Sequence, residues 1–581
     1  MLPQSTPTSS HAISRLEHLA LAAGGAIFAF HGAGLLAGAI SLLIGLTVGP
    51  IPFLAGVIAM PASAWLLLAH RRRQRAELVG ASAIAVLTLA ACILVAGRFY
   101  DTTYDGQWYH GETVLQLAEG WNPTRGDLTP QQVPLESTRW RATHFPHGPC
   151  IVAAGIYGIT KRFETAKAGN ALLLGGSFWL ALAALLSLPR CAGDAPPPSG
   201  GIAHRQTAAA VALAAAAALN PVAISQSMSL YVDGQIASLL LGLVSLSVLL
   251  AAREGQPRWP LLVLAALMLM ALVNAKFTGV ILGSAWVAGT ALMLALLGRG
   301  AVARRLAAAG ALALAAGVLV VGYAPYVTNT LGHGHPFHPL AGPNPLPHDW
   351  DLDRPVDLNA RGRVGRLVYS LLSVPHNGRA NDRFMPTRPG WPLVVAFRQG
   401  AWGAFIYPDT RCGGFGPLFS AALVLALGIL ATLTVGHRRA ALLASAAIAM
   451  LFASALVNPE AWWARYSPHL YLAPVVAAAA AWTVRRRAPR TLAWLVALLL
   501  LGNGVGIGIV YAQSQIEGTR QVRDEYAALR AAFGPLLVDF RESPANRARL
   551  REAGIEFIEA PLDDSHPRLV GSQARYRPTG L

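Results

Sequence analysis

Apolar segments of about 20 residues recur along the chain between Leu19 and Tyr511, with shorter polar segments between them. Each apolar segment is long enough to cross a hydrocarbon core of roughly 30 Å as a helix. Alternating segments of about ten residues, which a transmembrane barrel requires, do not occur in the sequence. The pattern predicts an all-α polytopic membrane protein with about thirteen transmembrane helices.

The predicted spans follow from the apolar stretches. They are 19–48, 51–69, 78–97, 168–188, 207–224, 236–252, 260–273, 277–297, 306–326, 417–435, 440–457, 470–484 and 492–511. The first stretch is taken as one long span, with a helical hairpin as the alternative. Residues 150–160 are apolar but too few to span comfortably, so they predict an interfacial or partly inserted helix.

Arginine clusters between the spans predict the orientation. The tight cluster at residues 71–75 belongs in the cytoplasm by the positive-inside rule, so the next span delivers residues from 98 onward to the outer face. The remaining clusters then also fall on the cytoplasmic side; they lie at 253–258, 299–305, 438–439 and 485–490. The amino terminus is therefore predicted inside and the carboxyl terminus outside. A Pro-, Gly- and His-rich stretch at 332–347 predicts an irregular start to the second outer loop.

The predicted organisation has five parts. They are additional amino-terminal helices at 1–77, a transmembrane core at 78–326 with a first outer loop at 98–167, a large outer loop at 327–416, carboxyl-terminal helices at 417–511, and a soluble extracytoplasmic tail at 512–581. The tail alternates helical and strand-like patterns, which predicts a small α/β segment. Its helical stretches are near 521–532 and 545–553, and its strand-like stretches are 535–540 and 555–558.

Composition supports the membrane class and limits the partners. The 581 residues are 54% hydrophobic and 13% charged, and the mean hydropathy is +0.45. The net charge of +17 is spread over loops rather than along one face, so no nucleic-acid partner is predicted. The scarcity of lysine beside arginine indicates a GC-rich bacterial genome, and hence the inner membrane of a bacterium. The cysteines lack zinc-site spacing, and a disulfide between Cys150 and Cys412 is left open.

Two carboxylates follow the third predicted span directly. Asp101 and Asp105 are four residues apart and would share one face of a helical turn, where like charges raise one pKa. That arrangement suits a general base or a shared metal. The alternative is a hydrated, aromatic-rich interfacial belt.

Four short motifs carry a family resemblance. Asp-Gly-Gln-Trp-Tyr-His at 105–110, ahead of Gly-Trp-Asn-Pro at 120–123, resembles the first loop of GT-C glycosyltransferases. The branch of protein O-mannosyltransferases and aminoarabinose transferases looks closest. Asp233 is similar to the second acidic position of that branch, Lys276 to its outer-face lysine, and Arg465 to its late Arg-Tyr motif.

The resemblance covers roughly residues 78–484 and has departures. Gly106 stands where many relatives carry Glu, and the two amino-terminal spans and the outer tail look additional. No metal ligand is assigned from the sequence, and a divalent metal is left open as a cofactor.

The resemblance implies a sugar carried on a polyprenyl phosphate. The sugar would be transferred, with inversion, to a saccharide, lipid or protein acceptor of the cell envelope, at a site facing the periplasm or exterior. Asp105, or less favourably Asp101, would be the catalytic base, and Asp233 would be a further catalytic residue that orients Lys276 or positions the acceptor. Lys276 and Arg465 would hold the departing lipid phosphate, since cations must neutralise charge developing at the membrane surface.

Further residues are candidates for substrate contact: Tyr109, His110, Trp463 and Glu460. Structural alternatives stay open for the charged residues. Lys276 would snorkel to the interface, and Arg465 would form an internal salt bridge with Glu460 or Asp233. Asp233 would cap the helix that follows it.

The remaining alternatives concern a histidine pair and the function class. His144 and His147 have the spacing of a metal pair, but the prolines around them favour a tight turn with packing or substrate contact. A transporter or flippase of lipid-linked saccharides is the main rival function, although it predicts charges at the bilayer midplane. A catalytically inactive assembly subunit is the second rival.

Overall fold

The computed structural model describes residues 8–69, 75–188, 200–252, 258–343, 345, 354–377, 387–531 and 534–579. The structure is mostly helical, at 71%. Arginines 71–73, Arg253 and Cys191, which entered the sequence predictions, lie outside the described residues.

A helix occurs in every stretch that was predicted to span. These helices are Thr8–Leu43, Ile51–Leu68, Arg75–Ala96, Ala168–Ser187, Gly200–Ala218, Asp233–Ala252, Trp259–Ala275, Thr278–Leu296, Gly300–Ala316, Phe419–Thr434, Arg438–Leu456, Leu472–Trp482 and Arg487–Ala531. Apolar residues fill them because a helix satisfies its own backbone hydrogen bonds in a medium without water.

Nine helical segments of the described chain are long and apolar enough to cross a membrane. Four shorter apolar helices accompany them: Gly148–Thr160, Trp259–Ala275, Phe419–Thr434 and Pro468–Trp482. The chain therefore has the helices of a multi-pass membrane protein, and the count of thirteen spans stays a prediction.

Some helices expose large apolar side chains to their surroundings. In the helix Arg75–Ala96, Val79, Leu87 and Leu94 each expose 68% of their surface. Such a row on a water-facing helix would be unfavourable, whereas in a bilayer it meets lipid tails.

The first helix forms the centre of one side of the bundle. Thr8–Leu43 is continuous, so the hairpin alternative for residues 19–48 is wrong. It packs against Ile51–Leu68, Arg75–Ala96 and Ala168–Ser187. A Cβ atom at Gly34 would lie 2.7 Å from the Pro52 carbonyl oxygen, so glycine is what permits this close approach.

The predicted interfacial helix at residues 150–160 exists, but protein surrounds it. It runs over Gly148–Thr160, and its residues are buried from Gly148 to Ile156. It contacts the first helix and the short helix Gly111–Ala118. Burial by neighbouring helices, rather than by lipid alone, therefore accounts for its apolar composition.

Short helices and turns shape the loops at one end of the bundle. Further α-helices are Gly111–Ala118, Glu136–His144, Pro221–Ser225, Thr328–His333, Val356–Asn359 and Arg363–Leu371. The 3₁₀ turns are Phe163–Lys167, Val394–Phe397, Gly403–Ile406, Ala464–Tyr466 and Pro468–Tyr471. The π-helical turns are Gly106–His110, Gly317–Val321 and Tyr323–Val327.

The tail forms the predicted α/β segment, with one strand that the sequence did not predict. The strands are β1 (Leu536–Asp539), β2 (Phe557–Glu559) and β3 (Arg575–Pro578), in the order β2-β1-β3. β1 pairs in parallel with β2, and the helix Asn546–Glu552 connects them. β3 is antiparallel to β1. We call residues 534–579 the cap.

The cap is attached to the bundle through a single long helix. Arg487–Ala531 has 45 residues and includes both the last predicted span and the first predicted helix of the tail. Its far end packs into the cap core through Val522, Tyr526 and Leu529. The last predicted span and the first predicted helix of the tail are therefore one continuous helix.

Candidate active site

Four charged residues from distant parts of the chain meet at one end of the bundle. Asp105 directly precedes the turn Gly106–His110, and Asp233 is the first residue of its helix. Lys276 occupies the extended break after the helix Trp259–Ala275. Arg465 lies in the 3₁₀ turn Ala464–Tyr466, between two apolar helices. Each therefore stands where a helix begins or ends.

The four side chains form one continuous set of ion pairs. Arg465 Nη1 donates to Asp105 Oδ2 at 3.1 Å and lies 3.8 Å from Asp233 Oδ2. Lys276 Nζ donates to the other oxygen of Asp233 at 2.7 Å. The exposed fractions of the side chains are 15% for Asp105, 2% for Asp233, 11% for Arg465 and 28% for Lys276. The structure thus brings together four residues that the sequence singled out separately.

A third carboxylate, Asp409, belongs to the same cluster. Its Oδ1 lies 3.0 Å from Arg465 Nε and accepts a hydrogen bond from Trp463 Nε1 at 2.7 Å. Its Oδ2 accepts from Arg411 Nε at 3.0 Å. The sequence prediction missed Asp409 and Arg411, which lie in a long irregular loop. The signal available for them was an acid and an arginine two residues apart, in Pro-Asp-Thr-Arg.

The cluster contains equal numbers of formal charges of each sign. Its carboxylates are Asp105, Asp233 and Asp409, and its cations are Lys276, Arg411 and Arg465. A balanced set limits the cost of burying ions. An entering anion would therefore have to replace one carboxylate as the partner of a cation.

Aromatic rings line the cluster. Lys276 Nζ lies 4.2 Å above the ring centre of Tyr466, and the Arg465 guanidinium lies 5.4 Å from that of Tyr231. The Tyr231 hydroxyl accepts a hydrogen bond from the Asp105 backbone amide at 3.4 Å. Ring faces attract cations where water is scarce, so these contacts stabilise both charged groups.

Burial and neighbouring charges shift the acid–base properties of the cluster. Burial raises the pKa of Asp105, and the Arg465 charge opposes that shift. Burial lowers the pKa of Lys276, and Asp233 opposes that shift. For Arg465, burial acts to lower the pKa, but Asp409, Tyr466 and Asp105 outweigh it and hold the pKa well above its ordinary value. Asp105 is therefore the group in this set whose proton affinity moves in the direction that a general base requires.

Asp101 does not share a helical face with Asp105, and that prediction is wrong. The helical turn begins only after residue 103, so the two carboxylates diverge. Asp101 Oδ1 accepts from the amide and hydroxyl of Thr103, at 2.9 and 2.6 Å. Its Oδ2 accepts from the Leu230 amide at 2.8 Å, and the residue is 1% exposed. Asp101 thus joins its own loop to the segment that leads into Asp233.

Gly106 is required by this arrangement. A Cβ atom there would lie 2.9 Å from Asp101 Cγ, closer than real Cβ contacts come. Glycine at this position therefore follows from the packing of Asp101 beneath the turn.

Tyr109 and His110 lie beside the cluster. Their rings are 4.1 Å apart, and the His110 ring is 6.5 Å from that of Tyr231. Burial lowers the pKa of His110 to about 3, so its imidazole is neutral. The charge of Asp105, together with burial, raises the pKa of Tyr109 well above its ordinary value. Both are placed to offer neutral hydrogen-bonding groups.

Trp463 and Glu460 are committed to other contacts. The Trp463 ring has the Arg411 guanidinium 4.2 Å from its centre and that of Arg465 at 5.0 Å. Glu460 Oε1 lies 2.5 Å from Arg354 Nη2, and Glu460 Oε2 accepts from Trp462 Nε1. Among the described residues, Arg465 pairs with Asp105, Asp233 and Asp409. Of the two internal salt bridges that the sequence left open for Arg465, the one with Asp233 is therefore present and the one with Glu460 is not.

His147 is held by backbone contacts within the turn that the sequence favoured over a metal pair with His144. His147 uses both ring nitrogens on backbone carbonyls, with Nε2 2.8 Å from Ala142 O and Nδ1 3.4 Å from Ala324 O. His144 instead faces two histidines of the second outer loop.

Cys150 and Cys412 are not joined by a disulfide in the described structure. Cys150 Sγ contacts the His110 carbonyl oxygen at 3.8 Å. Cys412 packs with the tryptophans of a separate buried cluster.

The cap holds the loop on both sides of Asp105. Asn546 Nδ2 and Arg549 Nη1 donate to Gln107 Oε1, at 3.0 and 3.2 Å. Arg549 Nη2 donates to the Asp101 carbonyl at 2.6 Å, and its Nε pairs with Glu164 Oε1 at 2.7 Å. Arg549 and Glu164 are 3% and 4% exposed. The cap therefore helps to position the backbone that carries Asp105.

Comparisons with known proteins give no relative for this chain. The sequence matches no protein-family model and no curated protein, and the structure matches no solved structure. The functional argument therefore depends on the residues of the cluster and on their geometry.

Proposed function

We propose that this protein is a membrane glycosyltransferase of the GT-C type. It transfers a hexosyl or pentosyl group from a polyprenyl-phosphate donor to an acceptor on the outer face of the bacterial inner membrane. The acceptor is a saccharide, lipid or protein of the cell envelope. The single observation that carries the proposal is the contact of Asp105 with Arg465, and of both with the Asp233–Lys276 pair, at one end of an apolar bundle.

The chemistry of the cluster supports this function. Transfer from a lipid phosphate needs a base for the acceptor hydroxyl and cations for the phosphate that departs. Asp105, with its raised pKa, meets the first need. Arg465 meets the second, since a planar guanidinium binds phosphate through two parallel hydrogen bonds, and Lys276 adds a compact charge.

Donor binding would rearrange the ion pairs. The phosphate is an anion, so it would take the place of Asp105 on Arg465, and the added negative charge would increase the proton affinity of Asp105. Asp105 would then be free to accept a proton. Donor binding would therefore release Asp105 from Arg465 and make it available as the base. Asp409 would keep Arg465 in position from the opposite side.

The reaction follows from that state. The acceptor oxygen attacks the anomeric carbon from the face opposite the phosphate, while its proton passes to Asp105. The bond between the anomeric carbon and the phosphate oxygen breaks, and its electron pair remains on the phosphate. Lys276 and Arg465 stabilise that charge, and the product has inverted configuration. His110 and Tyr109, both neutral, are available to hydroxyl groups of the sugar.

The test is a donor-turnover assay. The protein is purified in detergent and incubated with a panel of polyprenyl-phosphate hexoses and pentoses, and free polyprenyl phosphate is measured. Release by the wild type and not by Asp105→Asn is expected. A transporter would move the donor across a vesicle membrane without release, and an assembly subunit would do neither. Either result would overturn the proposal.

A further inference from the structure

Three imidazoles meet outside the carboxylate cluster. His144, His333 and His338 each offer one ring nitrogen, and these nitrogens lie within 4.8 Å of one another. The rings of His333 and His338 are parallel, 3.9 Å apart, and the His144 ring stands nearly perpendicular to both. We propose that these three histidines bind one transition-metal ion of the zinc class.

The first supporting observation is the orientation of His144. Its Nδ1 is 2.8 Å from Asn329 Oδ1, and the amide nitrogen of Asn329 donates to the carbonyls of His144 and His338. Because Asn329 Oδ1 can only accept, the proton of His144 is on Nδ1 and the lone pair is on Nε2. Metal-bound histidines are held in this way by an acceptor on the nitrogen that does not bind the metal.

The second observation is chemical complementarity. Three neutral imidazoles with one open position form a common zinc site, in which a water or carboxylate takes the fourth position. Asp127 is exposed, and its charge acts on both His144 and His338. Binding at Zn–N distances of about 2.0–2.1 Å requires the nitrogens to approach by roughly 1 Å. His333 is exposed and free to make that movement.

The ion would join two loops that are far apart in the sequence. His144 ends a helix of the first outer loop, and the other two histidines follow the bundle at the start of the second loop. Phe145 and Phe337, next to His144 and His338, pack against Phe277 with ring centres 5.9 and 5.5 Å apart. Phe277 follows Lys276 directly, so the metal would stabilise the wall behind that lysine.

Metal content tests this site without reference to turnover. The full chain, carrying an affinity tag without histidine, is stripped with EDTA, incubated with Zn²⁺, gel-filtered and analysed for zinc. About one zinc ion per chain is expected for the wild type. His333→Gln, at an exposed position, and His338→Gln should each retain less than about a tenth of that amount. Co²⁺ in place of Zn²⁺ should give the visible bands of a tetrahedral site.

His335→Gln is the matched control. It lies in the same segment, but its Nδ1 accepts a hydrogen bond from the Phe337 amide and it is not one of the three converging imidazoles. The control should retain the full zinc content. Zinc should also raise the thermal unfolding midpoint of the wild type but not of His333→Gln, since only a folded site binds it. Equal zinc content in the wild type and His333→Gln, or a wild type without zinc, would overturn the proposal.

Discussion

Arg465 Nη1 donates to Asp105 Oδ2 at 3.1 Å, across 360 residues of chain. The guanidinium is the element that joins the three carboxylates of the cluster, since it also contacts Asp409 and Asp233. The proposed mechanism assigns this contact two states. The hydrogen bond between Arg465 and Asp105 is formed before the donor enters. A contact between Arg465 and the donor phosphate replaces it afterwards.

The first prediction concerns the base. Asp105→Asn should reduce transfer about 10²- to 10⁴-fold, because a carboxamide cannot accept the acceptor proton. Folding should be retained, since the amide has the same shape and Arg465 keeps Asp409. Initial rates and thermal unfolding of the same preparation measure both effects. Turnover at the wild-type rate would remove Asp105 from the mechanism.

Asp101→Asn is the matched comparison for that variant. Asp101 holds Thr103 and Leu230 with its carboxylate, so its loss should lower thermal stability rather than act on chemistry alone. Unfolding free energy should fall by about 1–3 kcal/mol, the cost of leaving buried donors unsatisfied. An unchanged melting curve combined with a full loss of turnover would reverse the roles of the two acids.

The second prediction distinguishes an effect on donor binding from an effect on acceptor binding. Lys276→Met removes a cation that contacts the donor phosphate, so the KM for donor should rise about 10- to 100-fold, as expected for a lost bond to a charged group. The KM for acceptor should change much less. Lys161→Asn is the control, because Lys161 is exposed and asparagine tolerates its positive φ of 53°. Equal changes in both KM values would contradict a phosphate role.

The third prediction is a pair of opposite pH shifts. The pKa of Asp105 is raised by burial above the ordinary carboxyl value of about 3.9, so turnover should fall as the pH drops through that raised pKa. Arg465→Gln removes the opposing charge and should move this acid limb to higher pH. Asp409→Asn removes a like charge and should move it to lower pH. If the acid limb stays at the wild-type pH in both variants, the titrating group is not Asp105.

The fourth prediction concerns the cap. Arg549→Ala removes one of the two cations that pair with the buried Glu164, the other being Lys167, and should cost about 1–3 kcal/mol of stability, with loss of turnover because the Asp105 loop loosens. Arg551→Ala, which removes a surface pair with Glu119, is the control. That pair is 3.6 Å apart and more than half exposed, so its loss should cost less than about 1 kcal/mol. Thermal unfolding and protease cleavage of the cap distinguish the two variants.

The fifth prediction concerns topology. In a variant without its natural cysteines, Arg568→Cys in the cap and Arg439→Cys at the opposite end of the bundle are both at exposed positions. A membrane-impermeant maleimide added to intact cells should label the first and not the second, because the cap lies on the same side as Asp105. Labelling of Arg439→Cys alone would invert the proposed orientation.

The sequence predicted the cluster best where a charge interrupts apolar residues. Lys276 and Arg465 stand in short breaks between apolar helices, and an unpaired charge there is costly unless it has a function or a partner. Asp233 was detectable for the same reason. The contacts among these residues depend on helix packing, which periodicity does not encode.

The residues that the sequence did not reveal lie in irregular segments. Asp409 is brought to Arg465 by the second outer loop, where no period of 2 or 3.6 residues constrains the fold. His333 and His338 face His144 across 189 and 194 residues, so their spacing carries no metal motif. β3 was missed because its Arg-Tyr-Arg-Pro sequence lacks an apolar face.

The central claim is that Lys276 and Arg465 bind the donor phosphate while Asp105 is released. The most direct measurement is a cryo-electron microscopy structure of the protein bound to polyprenyl phosphate. The account predicts phosphate oxygens in contact with Arg465 and Lys276, and Asp105 no longer hydrogen-bonded to Arg465. A phosphate bound elsewhere on the protein, with the Asp105–Arg465 contact intact, would contradict it.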